Sequence, residues 1–141
     1  MWPQRMTWGV VLLAFLVGCG GNPGNAVYPV RGRVLYNGEP VTNAQVTFHP
    51  VGDSKRNTIR PVGKVDDQGN FALTSFRDGD GASAGEYQVT VVWFLAKPVR
   101  PGSEETVSAN YLPVKYANVE TSQLKVTVTP GHNELAVFHL K

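Results

Sequence analysis

Apolar and polar residues alternate with a period of two along most of the chain after residue 27. In the segment 28–36, apolar or small residues occupy the even positions, and Arg31 and Arg33 stand between them. The same alternation recurs over residues 44–49, 71–74, 86–94, 124–129 and 134–140. A period of two over such short segments is typical of strands with one buried face, so these segments are predicted strands.

Turn-forming residues separate the predicted strands. Asn37-Gly38 is a strong signal for a tight turn. Residues 51–61, 77–85 and 96–110 are predicted loops, and 111–118 a short helical turn or irregular crossing. About seven short strands without a long helix predict an all-β, antiparallel, immunoglobulin-like β-sandwich, with a small barrel as the alternative.

The longest apolar strand, in segment 86–94, predicts part of the core. Tyr87, Val89, Val91 and Trp93 share one parity and are expected to face inward. Phe94 has the opposite parity and is expected to point outward.

Residues 1–18 have the layout of a secretory signal peptide, with the positively charged Arg5 followed by a dozen mostly apolar residues. That run is too short to span a bilayer core of roughly 30 Å as a stable helix. It ends in Leu16-Val17-Gly18-Cys19, which resembles the lipobox of bacterial lipoproteins. The resemblance implies cleavage between Gly18 and Cys19 and a lipid on the Cys19 thiol, with palmitate-type chains. The alternative is an uncleaved apolar helix with a buried cysteine.

Three segments follow from this interpretation: a signal peptide over 1–18, a flexible tether over 19–26 rich in Gly, Asn and Pro, and one domain over 27–141. Cys19 is the single cysteine, so the chain has no intramolecular disulfide. We expect secretion across the inner membrane and attachment to the cell envelope through lipidated Cys19. In lipoproteins generally, an Asp after the cysteine retains the protein at the inner membrane. Gly20 therefore favours the outer membrane.

The charge of the chain is nearly balanced, with 13 Lys and Arg against 11 Asp and Glu. Nucleic-acid binding needs a concentrated basic face, and no nucleic-acid partner is expected. The longest basic groupings, such as Arg31 with Arg33, are short and are interpreted as solvated strand positions.

Several segments, in their order along the chain, resemble the carboxypeptidase regulatory-like domain. The resemblance rests on segments 30–34, 37–41, 44–48, 66–73 and 85–89, and on Leu112-Pro113-Val-Lys-Tyr116-Ala, which is similar to a feature of small bacterial lipoproteins. It covers about residues 27–140 and implies a transthyretin-like sandwich. It also implies an accessory or envelope module without catalytic machinery of its own.

Catalytic signals are weak, and no catalytic residue and no cofactor is predicted. His49, His132 and His139 form no zinc-peptidase motif. Ser83 lies in Gly81-Ala-Ser83-Ala-Gly85, which matches Gly-x-Ser-x-Gly but precedes a strand instead of a helix. An envelope hydrolase with its site near the 77–86 loop is therefore the alternative function.

No metal site is predicted. Asp78 and Asp80 lie in a glycine-rich loop and are weak candidates for calcium ligands. Asp66 and Asp67 could add ligands to such a site if the two loops met. The turn interpretation is preferred for all of them.

A ligand surface is a separate hypothesis. Phe94, Tyr111 and Tyr116 are candidates for an exposed aromatic surface that binds a protein or a glycan. An open edge strand could also recruit a partner strand. The leading hypothesis is a lipid-anchored envelope module with a non-enzymatic binding or structural role.

Overall fold

The computed structural model describes residues 26–52 and 58–141 of the chain. The predicted signal peptide over 1–18, with Gly18, and Cys19 with almost all of the tether lie outside the described residues. In the part that is described, no helix is long and apolar enough to cross a membrane.

The described residues form an all-β sandwich, as the alternation predicts. One sheet has four antiparallel strands in the order β4-β3-β6-β9. Its strands are β3 (Gln45–Pro50), β4 (Val62–Lys64), β6 (Gly85–Val92) and β9 (Leu124–Val128). In β3, Val46 and Phe48 are buried and Gln45 is exposed, whereas in β6 both faces are covered and residues 87–91 are all buried. Val46 lies directly opposite Val91 across the ladder.

The second sheet is organised around one central strand. It comprises β1 (Val30–Tyr36), β2 (Glu39–Pro40), β5 (Asn70–Ala72), β10 (Asn133–Glu134) and β11 (Phe138–Leu140). β2 and β5 pair with β1 in antiparallel fashion. β10 and β11 pair with β1 in parallel fashion, so this sheet contains both parallel and antiparallel pairs. The C-terminal segment thus lies beside the first strand.

Apolar side chains of both sheets meet in one core. Phe71 of β5 packs against Phe48 of β3 with ring centroids 6.4 Å apart, and against Phe138 of β11 at 6.1 Å. Tyr87, Val89 and Val91 are almost fully buried, which confirms their predicted orientation. Trp93 is partly buried and packs against this core.

A two-stranded hairpin stands apart from the two sheets. β7 (Phe94–Pro98) pairs with β8 (Thr106–Asn110), and together they form a separate antiparallel sheet. The sequence pattern predicts a loop over 96–110, and that prediction is wrong for most of the segment. After the hairpin, a short 3-10 helix at Val114–Tyr116 confirms the predicted helical turn.

Candidate functional site

The β7–β8 hairpin is anchored to the sandwich at its base by Trp93. The Trp93 indole Nε1 donates a hydrogen bond of 2.9 Å to the carbonyl oxygen of Thr42. The Trp93 backbone N–H donates to Oδ1 of Asn110 at 2.9 Å, and the Tyr111 N–H donates to the Trp93 carbonyl at 2.9 Å. The two backbone bonds of Trp93 join the two strands at the hairpin base, and its indole bond attaches that base to the sandwich.

Beyond its base, the hairpin exposes large apolar side chains. Phe94 is 56% exposed, Val107 is 52% exposed, and Val99 just after β7 is 46% exposed. Contiguous exposed apolar side chains mark interaction surfaces, whereas single ones are normal on a protein surface, so the arrangement of these three residues matters. The outward orientation predicted for Phe94 is confirmed.

The register distributes these side chains over both faces of the hairpin. Phe94 lies opposite Asn110, whereas Val107 lies opposite Lys97. Because successive strand residues point to opposite faces, Phe94 and Val107 project from different faces. A partner that contacts both must lie along the hairpin edge.

The other two aromatic candidates differ in their surroundings. The Tyr111 ring is 45% exposed and meets the Trp93 ring edge to face at 6.3 Å. Tyr116 is only 8% exposed, and its hydroxyl bonds to the backbone of Lys141, accepting from the N–H at 3.0 Å. Tyr116 therefore belongs to the core, and the prediction that it shares a ligand surface with Phe94 and Tyr111 is wrong.

The loop before β6 is organised around the Asp80 carboxylate. It accepts backbone N–H bonds from Ser75 at 2.7 Å, Phe76 at 3.0 Å and Arg77 at 2.9 Å. Partial burial raises the pKa of Asp80, but the hydrogen bonds from these N–H groups lower it by more than that. The pKa of Asp80 therefore lies below its usual value. Within residues 26–52 and 58–141, no three His, Cys, Asp or Glu residues are placed to hold a metal ion. The geometry of Asp80 agrees with the turn interpretation, and nothing in the described loop adds ligands to Asp78.

The histidines and Ser83 lie on separate elements. Nε2 of His49 is 2.9 Å from the Thr90 hydroxyl on β6. Burial, with a smaller contribution from the positive charge of Arg60, lowers the pKa of His49. His132 and His139 are exposed on a turn and on β11, and the Ser83 carbonyl accepts the Tyr87 hydroxyl at 2.8 Å. This arrangement supplies no support for the hydrolase alternative near residues 77–86.

The hairpin and the role of Trp93 are the features that the sequence pattern missed. Pro98, Pro101 and Gly102 in the segment favour a loop. The alternation of Thr106, Val107, Ser108 and Ala109 is the signal that could have identified β8, with Pro101-Gly102 as its turn.

Comparisons with known proteins add little. No family model matches the chain, and no curated protein matches it. A crystal structure of a 9R-lipoxygenase from Cyanothece PCC8801 aligns with this chain at a TM-score of 0.42 and 12% sequence identity, values too low to support an argument about fold or function. The match covers 82% of this chain and 16% of the lipoxygenase chain, so this chain spans only a small part of that enzyme's length.

Proposed function

We propose that this chain is a lipid-anchored module of the bacterial cell envelope that binds a protein partner through the β7–β8 hairpin and catalyses no reaction. The observation that carries the proposal is the hairpin itself, which exposes Phe94 and Val107 on opposite faces and pairs with no other described strand. We further propose that the domain belongs with the carboxypeptidase regulatory-like domains that its sequence resembles.

Strand addition is the mode of binding that suits this hairpin. Open strand edges present unpaired backbone N–H and C=O groups, and a partner strand can pair with them. β7 includes Lys97 and Pro98, which disfavour pairing along its edge, whereas β8 has no proline and no charged residue. The partner strand would therefore add to β8 and contact side chains on both faces.

The position of the hairpin supports this role in an anchored protein. The chain enters the sandwich at Tyr28, whose backbone exchanges hydrogen bonds of 2.9 and 3.0 Å with Ala82. β6 begins three residues later at Gly85 and runs for eight residues to Val92, just before the hairpin. At about 3.3 Å per residue, the hairpin base lies about 25 Å from the entry point. A lipid on Cys19 would therefore tether the sandwich through its entry end, at the opposite end of β6 from the hairpin.

The anchor and the partner are tested separately. Cells that produce the full chain are labelled with an alkyne analogue of palmitate, and the proposal expects label on the wild type and none on Cys19→Ala. Label on Cys19→Ala, or an intact leader on protein from the wild type, would contradict the anchor.

For the partner, a photo-crosslinking residue at Val107 is compared with one at the exposed Lys115, outside the hairpin. The proposal expects a discrete protein adduct from Val107 only, which disappears in Phe94→Ser. Identical adducts from both positions, or none from Val107, would overturn the role of the hairpin.

A further inference from the structure

A charged cleft lies along the central strand of the second sheet, at the side of the sandwich. Its volume is about 570 Å³. Three basic residues line it, Arg31, Arg33 and Lys64, together with two acidic residues, Asp66 and Glu134. No residue of the β7–β8 hairpin lines the cleft, so the two surfaces are separate.

The register explains why the arginines face the cleft. Val30 and Val34 point into the core from β1, so Arg31 and Arg33 project from the outer face. Two residues of a strand separate them by about 7 Å. In its two ladders Arg31 lies opposite Ala72 of β5 on one side and Glu134 of β10 on the other.

Local hydrogen bonds orient the charges around the cleft. The Arg33 Nε donates to the carbonyl oxygen of Gln68 at 2.9 Å, which leaves its terminal nitrogens for another acceptor. Oδ1 of Asp66 accepts the backbone N–H groups of Gln68 and Asn70, each at 2.9 Å. The Asp66 carboxylate thus stabilises the turn, and the three basic and two acidic lining residues together leave the cleft with a small formal positive charge.

We propose that this cleft binds an oligosaccharide that carries carboxylate groups, such as a uronic-acid oligomer. Guanidinium groups bind carboxylates with two parallel hydrogen bonds, and Arg31 and Arg33 present two such groups at about 7 Å spacing. The exposed Asn70 amide and the Glu134 carboxylate supply partners for sugar hydroxyls.

The mixed charge distinguishes this ligand class from more highly charged ones. The Glu134 carboxylate repels anions in proportion to their charge, so it disfavours a polyphosphate more than a uronate, and it also accepts hydrogen bonds from hydroxyl groups. The volume falls in the range of ligand sites, roughly 300–1,000 Å³. A charged and open cleft suits a hydroxyl-rich acidic ligand better than an apolar one.

The test uses the full chain purified in detergent and titrated calorimetrically with trigalacturonate. Arg31→Gln and Arg33→Gln should each weaken binding at least tenfold, and higher salt should weaken it further. Arg100→Gln, an exposed arginine near the hairpin turn, is the matched control and should leave the affinity unchanged. Melting curves check that each variant is folded, and Arg31 is the safer of the two exposed positions because Arg33 also donates a hydrogen bond to the Gln68 carbonyl.

Three competing ligands decide the chemical class. Neutral maltotriose should bind at least tenfold more weakly than trigalacturonate, and so should tripolyphosphate and a triglutamate peptide. Equal binding of maltotriose would show that charge is not recognised. Stronger binding of tripolyphosphate or triglutamate would replace the glycan with another anion class. No heat of binding with trigalacturonate at millimolar concentration, or undiminished binding by Arg31→Gln, would also overturn the proposal.

Discussion

Gly81 lies where the chain enters the sandwich, and replacing it with alanine should destabilise the fold severely. A Cβ atom built on Gly81 would lie 1.7 Å from the Tyr28 carbonyl oxygen, far inside van der Waals contact. That oxygen accepts the Ala82 N–H at 3.0 Å, so the clash falls on the bridge between the first described segment and the loop before β6. Because the obstacle is backbone, no side-chain rotation relieves it.

The expected magnitude follows from three contributions. The φ of Gly81 is +104°, and a left-handed conformation costs an L-residue about 1 kcal/mol or more. Losing the two backbone bonds between Tyr28 and Ala82 costs about 1 kcal/mol each. Overpacking adds about 1–3 kcal/mol. Gly81→Ala should therefore lower the free energy of unfolding by about 4 kcal/mol or more.

Gly79 in the same loop supplies the matched control. Its φ is +69°, but a Cβ atom there would have no neighbour within 4 Å. Gly79→Ala should therefore lower the free energy of unfolding by only about 1 kcal/mol, the cost of placing an L-residue in a left-handed conformation. The free energy of unfolding is measured by urea titration followed by circular dichroism, with thermal melts as a second measurement. For a domain of this size, 1 kcal/mol shifts Tm by about 4 °C, so the expected Tm losses are about 4 °C and about 16 °C. Equal losses for the two variants would refute the close approach of Tyr28 and Gly81.

Three further predictions concern the core and two titrating side chains. Phe48→Ala should lower the free energy of unfolding by about 3–5 kcal/mol in urea titration, because Phe48 is fully buried. Phe94→Ala should lower it by under about 0.5 kcal/mol, because Phe94 is exposed. Similar losses for the two variants would contradict this difference in burial. Folding lowers the pKa of Asp80, so its stabilising contribution is complete above about pH 4 and is lost as the pH falls further. Asp80→Asn should therefore destabilise the protein at pH 7 in thermal melts, and this deficit should shrink as the pH falls below about 4. A deficit that stays constant as the pH falls would oppose this. Folding also lowers the pKa of His49 below 6.5, so stability is complete above that pH and declines below it. His49→Gln should flatten the Tm profile between pH 7 and pH 5, and an unchanged slope would count against burial of the neutral ring.

Local patterns predicted the strands whose burial alternates but not the pairing of distant segments. Tyr87, Val89 and Val91 are buried in the core as their parity predicts, but parity did not predict that Gln88 and Thr90 on the other face of β6 are buried as well. The parallel pairing of β1 with β10 joins Val30 to Asn133, about a hundred residues along the chain. A period of two says which face of a strand is buried but does not say which strand lies beside it.

The candidate site was predictable only where strand parity applies. The exposure of Phe94 follows from its position next to the inward-facing Trp93. Tyr116 lies in a 3-10 helix, where alternation carries no information, and its hydroxyl reaches Lys141 at the other end of a long connection. Its burial depends on tertiary contacts that a local pattern does not encode.

Because the hairpin lies outside the core, substitutions on its surface should change binding without unfolding the domain. β7 and β8 pair only with each other among the described strands, and their outer residues are exposed. Substitutions such as Phe94→Ser and Val107→Ser therefore remove apolar contact area without opening a cavity, and most of the free energy of unfolding should remain. Arg31 on β1 is equally exposed, and its side chain points away from the core. An unfolded domain would lose partner binding and glycan binding together. A variant that loses only one of the two has therefore lost a contact at the substituted surface and is still folded.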